Sequence, residues 1–216
     1  MIETKTGDAT AVSRTQTHGV IVAHIVNCKG AWGGGFVLAL NKMSPVPKAA
    51  YMAWKQKSQG DIPMGDTQFV EDEPGKFIAN MCAQKSVNKA DGPCLIDYDA
   101  LERCLKVTFL RALRLGYAVH MPAGMGSGLA GGDKAKILAI IEAMAKKAEQ
   151  ESKFAKLVKE HTGRPLELNI TLWEFTDTTA DSYVPPADAT TADSTDLGEA
   201  AEEEELTAKP DDIASL

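Results

Sequence analysis

Two glycine clusters in this chain are suited to holding phosphate. The first closes VNCKGAWGGGFVLAL, residues 26–40, where an apolar run ends in Asn27 and Cys28 and is followed by Gly30, Gly33, Gly34 and Gly35. The second is MPAGMGSGLAGGD, residues 121–133. Glycine permits positive φ and lets a ligand approach bare main chain. Successive backbone N–H groups with a helix N-terminus behind them attract anionic oxygen. Two such loops at equivalent strand ends would clamp a diphosphate; the alternative for each is tight packing or a turn. Residues 126–131 also satisfy G-x-G-x-x-G. A dinucleotide-binding Rossmann unit is disfavoured, because the motif follows the penultimate strand. About 20 residues on, where that fingerprint needs an acid ending a strand, lies a lysine-rich helix around Glu149 and Glu151.

Beside the glycines stand residues able to move protons or attack carbon. His24 lies in the buried strand before the first loop, as a proton donor or acceptor or simply as a backbone-bonded core histidine. Lys85 follows a later strand, as a nucleophile if desolvated or a solvent-facing cation. Asp133 precedes a long helix, as a water-positioning carboxylate or a helix N-cap. Asn27 ends an apolar strand, where its amide needs a partner. The four cysteines, Cys28, Cys82, Cys94 and Cys104, form no C-x-x-C pair, so a zinc site is unsupported and no metal is expected. So few cysteines in 216 residues point to a reducing, cytoplasmic setting.

The elements that must position these residues alternate in type. Residues 2–5 read as a short strand, and VIVAHIVN (20–27) as a buried, β-branched one. Residues 35–42 and 48–57 read as helices separated by Ser44-Pro45-Val46-Pro47. TQFVED and KFIANMCAQ form two strands around Glu73-Pro74-Gly75. DYDALERCLKVTFLRALRL is an amphipathic helix ended by Gly116. YAVHMP is a strand, a long helix runs from Asp133 to about His161, and LELNITLWEF is the last strand. Alternating strands and helices imply a three-layer α/β/α sandwich on a mixed, mainly parallel sheet. Ligands of such sheets sit beyond the carboxyl ends of the strands, where both glycine clusters fall.

Charge divides the chain. Residues 176–216 hold twelve Asp or Glu and one Lys, a net of −11; with 30 acidic and 23 basic residues overall, residues 1–175 hold 18 and 22, a net of +4. The mildly basic body suits an anionic ligand. The acidic Thr-, Ala-, Asp- and Pro-rich end buries too little to offset its ordering entropy, so residues 178–216 are read as a disordered tail after a domain of residues 1–177. No stretch approaches the roughly 18 apolar residues of a membrane span, and residues 1–5 lack the pattern of a secretory signal.

Over residues 2–175 the body resembles a macro domain, the ADP-ribose-binding α/β/α module, with the matching pieces in family order. TGDAT (6–10) is similar to the Gly-Asp segment that contacts adenine, which implies that role for Asp8, with Ala9 beside it. AHIVNCKGAWGGG resembles the strand and loop under the distal ribose and diphosphate, implying contacts from Asn27, Trp32, Gly33, Gly34 and Gly35. HMPAGMGSGLAGGD resembles the loop over the diphosphate, usually P-R-I-G-C-G-L, implying contacts from Gly124, Met125, Gly126, Ser127, Gly128 and Leu129. NITLWEF resembles the closing strand. The branch most resembled holds ADP-ribose-1″-phosphate phosphatases, the terminal ADP-ribose glycohydrolase type and the DarG antitoxin, in its bacterial or phage form. The chain departs from it in places. Asn27-Cys28-Lys29-Gly30 lacks the second Asn of N-A-A-N. Lys85 falls about where the glycohydrolase and antitoxin types carry lysine, but Ala130 stands where the glycohydrolase needs aspartate, with Asp133 three residues later.

The resemblance implies a hydrolase that removes a 1″-phosphate from ADP-ribose, or unlinks ADP-ribose from protein or nucleic acid, with His24, Lys85 and Asp133 as the catalytic candidates. The alternative is a non-catalytic ADP-ribose reader. No cofactor is implied. A single-strand nucleic-acid binder ranks last, because the body is only mildly basic and shows no aromatic platform.

Overall fold

The structure, a computed structural model, describes residues 1–11, 19–163 and 165–175; the tail read as disordered lies outside these residues. Six strands form one sheet: β1 (Ile2–Thr6), β2 (Val20–Asn27), β3 (Thr67–Glu73), β4 (Lys76–Gln84), β5 (Ala118–Pro122) and β6 (Ile170–Glu174). Their order is β1-β6-β5-β2-β4-β3. Every neighbouring pair is parallel except β3–β4, which is antiparallel. Five parallel strands therefore end at one edge of the sheet.

The helices are α1 (Val37–Met43), α2 (Val46–Lys57), α3 (Tyr98–Leu115), α4 (Lys134–Glu151) and α5 (Lys153–Thr162). The alternation of β2 decides the layers. Ile21 and Ala23 pack against Leu101, Leu105 and Phe109 of α3 and Ile137 and Ile141 of α4. Val22 and Val26 pack on the opposite face with Val37 and Leu40 of α1 and Tyr51 of α2. The expected three-layer sandwich is the observed fold. Among the described residues no helix is long and apolar enough to cross a membrane.

Local chemistry sets the helix ends. Asp97 caps α3 by accepting the Ala100 amide, and Gly116 ends it at φ +68°. Asp133 caps α4 by accepting the Lys136 amide. The single helix expected to reach His161 is two helices. Ser152 adopts extended ψ (114°), its hydroxyl accepts the Ala155 amide, and the same residue that closes α4 opens α5. The last strand also starts later than expected. The Leu168 amide is taken by the Glu149 carboxylate of α4 at 2.8 Å, and strand pairing begins only at Ile170.

Replacing Ser152 by Ala removes this cap, so it is expected to lower stability by about 1 kcal/mol in urea unfolding while leaving the far end of the sheet unchanged. An unchanged midpoint would mean that α5 is held by packing alone.

Candidate functional site

The parallel strands end at a cavity of about 1090 Å³. Residues following every one of them line it: Gly7 to Ala11 after β1, Gly33 to Phe36 after β2, Val87 and Lys89 after β4, Ala123 to Gly126 after β5, and Phe175 after β6. The two glycine clusters lie on the adjacent strands β2 and β5, so they face one shared space.

The first loop is tied down by Asn27. Its Oδ1 accepts the amides of Lys29 at 3.1 Å and Ala31 at 3.0 Å, and its Nδ2 donates to the Ala31 carbonyl at 2.6 Å. The buried Tyr51 hydroxyl donates to the Asn27 carbonyl at 2.5 Å. Burial pushes the Tyr51 phenol well above its ordinary pKa, so it stays a donor. With these bonds made, the amides of Gly33, Gly34 and Gly35 donate to no acceptor among the described residues. The second loop is a run of turns, closed by Gly131 N–H to Gly128 O and Gly132 N–H to Gly126 O, and anchored where Leu95 N–H donates to Ala130 O at 2.8 Å. Its Gly126, Gly128 and Leu129 amides likewise lack an acceptor among the described residues. Orphaned amides of this kind are met by water or ligand.

The glycines divide by cause. A Cβ on Gly131 would lie 2.0 Å from the Pro93 carbonyl oxygen, and one on Gly132 2.8 Å from the Gly126 oxygen; these serve the fold. Gly33 and Gly128 have ordinary φ, and among the described residues nothing lies within 4 Å of an added Cβ. Neither packing nor backbone conformation requires glycine there, yet both line the cavity.

His24 lines the cavity from within β2 and is 1% exposed. Its ring packs edge-on to Trp32 and against Phe36. Nε2 lies 2.6 Å from Asn80 Oδ1 on the paired strand β4. Burial pushes its pKa down to about 4, so the ring is neutral.

Of the residues singled out in the sequence, Asp8, Ala9, His24, Asn27, Gly33, Gly34, Gly35, Gly124, Met125, Gly126, Gly128 and Leu129 line the cavity. Both oxygens of Asp8 accept from Thr10, through the amide and the hydroxyl, each at 2.8 Å. Asn27 spends most of its hydrogen-bonding capacity on its own loop, so the partner its amide required is backbone. Four expected residues do not line the cavity. Trp32 is buried in the core against Tyr51, with its indole N–H donating to Asn41 Oδ1 at 2.9 Å. Ser127 donates to the Gly124 carbonyl within its turn. Lys85 is exposed, and its backbone rather than its side chain is tied into the structure, through Leu95 O and Cys28 Sγ. Asp133 is the cap of α4. Cys28 donates to the Lys85 carbonyl, and burial raises its pKa, which leaves a thiol rather than a nucleophilic thiolate. Among the described residues no cluster could hold a metal ion.

Sequence reasoning missed Phe175, Lys42 and Lys89. Phe175 is a 72% exposed aromatic that lines the cavity just past β6. Lys42 and Lys89 also line it and form no ion pair among the described residues, whereas Lys134 lies 3.5 Å from Glu174. An aromatic directly after a parallel strand was a usable signal; the lysines gave none.

No family model and no curated protein matches the chain. Solved structures do. A protein of unknown function from Bacteroides thetaiotaomicron is 34% identical, with TM-score 0.65, over 82% of this chain and 98% of that one. A macrodomain protein from Streptomyces coelicolor is 30% identical, with TM-score 0.61, over 81% and 99%. A macrodomain mutant from Oceanobacillus iheyensis, solved with ADPR, shares the fold at 17% identity and TM-score 0.56, over 82% and 86%.

Burial holds both His24 and His120 at pKa values of about 4. Unfolding returns each to about 6.5, so the unfolded chain binds more protons between those values. Stability is therefore complete above pH 6.5 and falls as the pH drops toward 4. Urea midpoints measured from pH 7.5 to 5 are expected to decline, less steeply in His120→Phe. A flat profile would place charged or solvated histidines in the folded chain.

Proposed function

The chain belongs to the macrodomain family, and from that premise we propose that its cavity binds ADP-ribose, with the diphosphate held between the two glycine loops. The observation that carries this is the pair Gly33 and Gly128, on adjacent strand ends, where among the described residues neither packing nor φ calls for glycine and the neighbouring amides have no acceptor. Oriented N–H groups hold a diphosphate without a metal or a dense cationic patch. The adenine contact that the family resemblance implies for Asp8 orients the rest of the ligand along the strand ends. Adenosine lies toward β1 and β6, with Asp8 and Ala9 beside it and Phe175 free to stack on the base. The terminal ribose lies toward β2 and β4, near Asn27, His24 and Lys89. The Oceanobacillus iheyensis macrodomain solved with ADPR supports the ligand class.

Calorimetric titration tests this. Gly33→Ala and Gly128→Ala are expected to keep the wild-type melting temperature or raise it slightly, because alanine loses less backbone entropy on folding. Their affinity for ADP-ribose is expected to fall at least tenfold, about 1.4 kcal/mol. Wild-type affinity in both variants would show that the loops do not hold the ligand.

A second reading, hydrolysis, rests on His24. A neutral imidazole lining the cavity can take a proton from water attacking a 1″-phosphate or the glycosidic carbon. Lys85 and Asp133 do not line the cavity, so a lysine-based mechanism lacks geometric support. Incubation with ADP-ribose-1″-phosphate, and with ADP-ribosylated protein and DNA, separates the readings. Hydrolysis predicts release that is lost in His24→Ala and kept in Lys85→Ala. Binding without any release makes the protein a reader.

A further inference from the structure

A one-way hydrogen-bond relay crosses the sheet and ends at the cavity. It starts at the Ala50 carbonyl in α2, which can only accept, and which receives Gln68 Nε2 at 2.9 Å. That contact fixes which end of the Gln68 amide points where. Gln68 Oε1 must then accept, and Asn80 Nδ2 donates to it at 3.0 Å. Asn80 is fully buried and its amide is oriented in turn, leaving Oδ1 toward His24 Nε2 at 2.6 Å. An amide oxygen only accepts, so Nε2 carries the imidazole proton. The three side chains occupy one row of the sheet, with His24 opposite Asn80 and Asn80 opposite Gln68. In the neutral ring Nδ1 is therefore a bare lone pair, and among the described residues it has no hydrogen-bond partner although it is buried. A buried acceptor without a donor is costly, and a site that leaves one unpaired selects for a ligand supplying the donor.

We propose that His24 reads a hydroxyl of the ligand's terminal ribose through Nδ1, and that Asn80 and Gln68 are positioning residues that lock it in the accepting tautomer. This rests on the ADP-ribose reading of the cavity. A hydroxyl satisfies Nδ1, and the same site disfavours a ligand whose terminal ribose lacks that hydroxyl or presents an acceptor in its place. The relay thus adds a test of sugar identity to a loop system that by itself senses only the diphosphate.

Two measurements test the proposal. Long-range nitrogen–proton NMR of the histidine rings in the full chain, without ligand, reads the tautomer. The wild type is expected to carry the His24 proton on Nε2. Gln68→Leu frees the Asn80 amide to reverse and is expected to yield a mixture of tautomers. Calorimetry then compares ADP-ribose with its 2″-deoxy and 3″-deoxy analogues. The wild type is expected to lose at least about fivefold in affinity for one of them. His24→Phe, which keeps a ring against Trp32 and Phe36, is expected to bind ADP-ribose more weakly and to treat all three ligands alike. A wild-type ring protonated on Nδ1, or equal wild-type affinity for all three ligands, overturns the hydroxyl contact and leaves ADP-ribose binding standing. Absence of ADP-ribose binding in the wild type overturns the ligand reading and the contact together.

Discussion

The cavity depends on the side chain of Asn27. At this residue the central strand stops, its pairing with β4 shifts register, and the chain turns out of the sheet. One amide side chain takes two loop N–H groups and gives one hydrogen to a loop carbonyl, while the buried Tyr51 hydroxyl holds the Asn27 carbonyl from below. These bonds decide which amides are consumed and which stay open. Lys29 and Ala31 spend theirs on Asn27, and the next three glycines keep theirs. The aromatic group of Trp32, Tyr51 and Trp54 beneath the loop is the rigid floor that keeps this arrangement in place. A flexible glycine run would lose entropy on binding an anion; a run tied at its base has already lost most of it.

The site is more dipolar than ionic. His24 is neutral, Lys134 is paired with Glu174, and the Asp8 carboxylate is folded onto Thr10. What remains in the cavity to meet an anion is a set of N–H groups without acceptors among the described residues, together with Lys42 and Lys89. Fixed amides need no reorganisation when charge arrives, and salt screens them less than mobile surface lysines. This agrees with a body whose net charge is only mildly positive, and it separates the cavity from the basic grooves that track nucleic-acid backbones.

The fold was legible in the sequence because its signals are local and periodic. The β-branched run 20–27 could only be a buried strand, and glycine loops at two strand ends placed a ligand at the carboxyl edge. The unseen parts depend on neighbours distant in sequence. Ser152 divides a helix whose lysine- and alanine-rich sequence favours continuity on both sides. Asp133 ends the second glycine loop and Lys85 follows a parallel strand, but the first caps α4 and the second is exposed outside the cavity lining. Trp32 sits among ligand-loop residues and yet turns into the core, where Asn41 accepts its indole hydrogen. Phe175 gains meaning only from the strand order, because β6 lies beside β1 and brings residue 175 to the same cavity as Asp8. His24 read as core or as site; it is buried and also lines the cavity, and its Nε2 faces Asn80, 56 residues away.

The hairpin between β3 and β4 turns at Pro74 and Gly75, beside the starts of β2 and β4. Because the strands are parallel, that turn and the ligand mouth lie at opposite edges of the sheet. A dye, a short epitope or a surface tether inserted at the turn would stand the molecule on its base with the cavity facing the solution. The same architecture that gathers five strand ends around one cavity thus provides a remote handle, and with it a route to an oriented capture reagent or optical sensor.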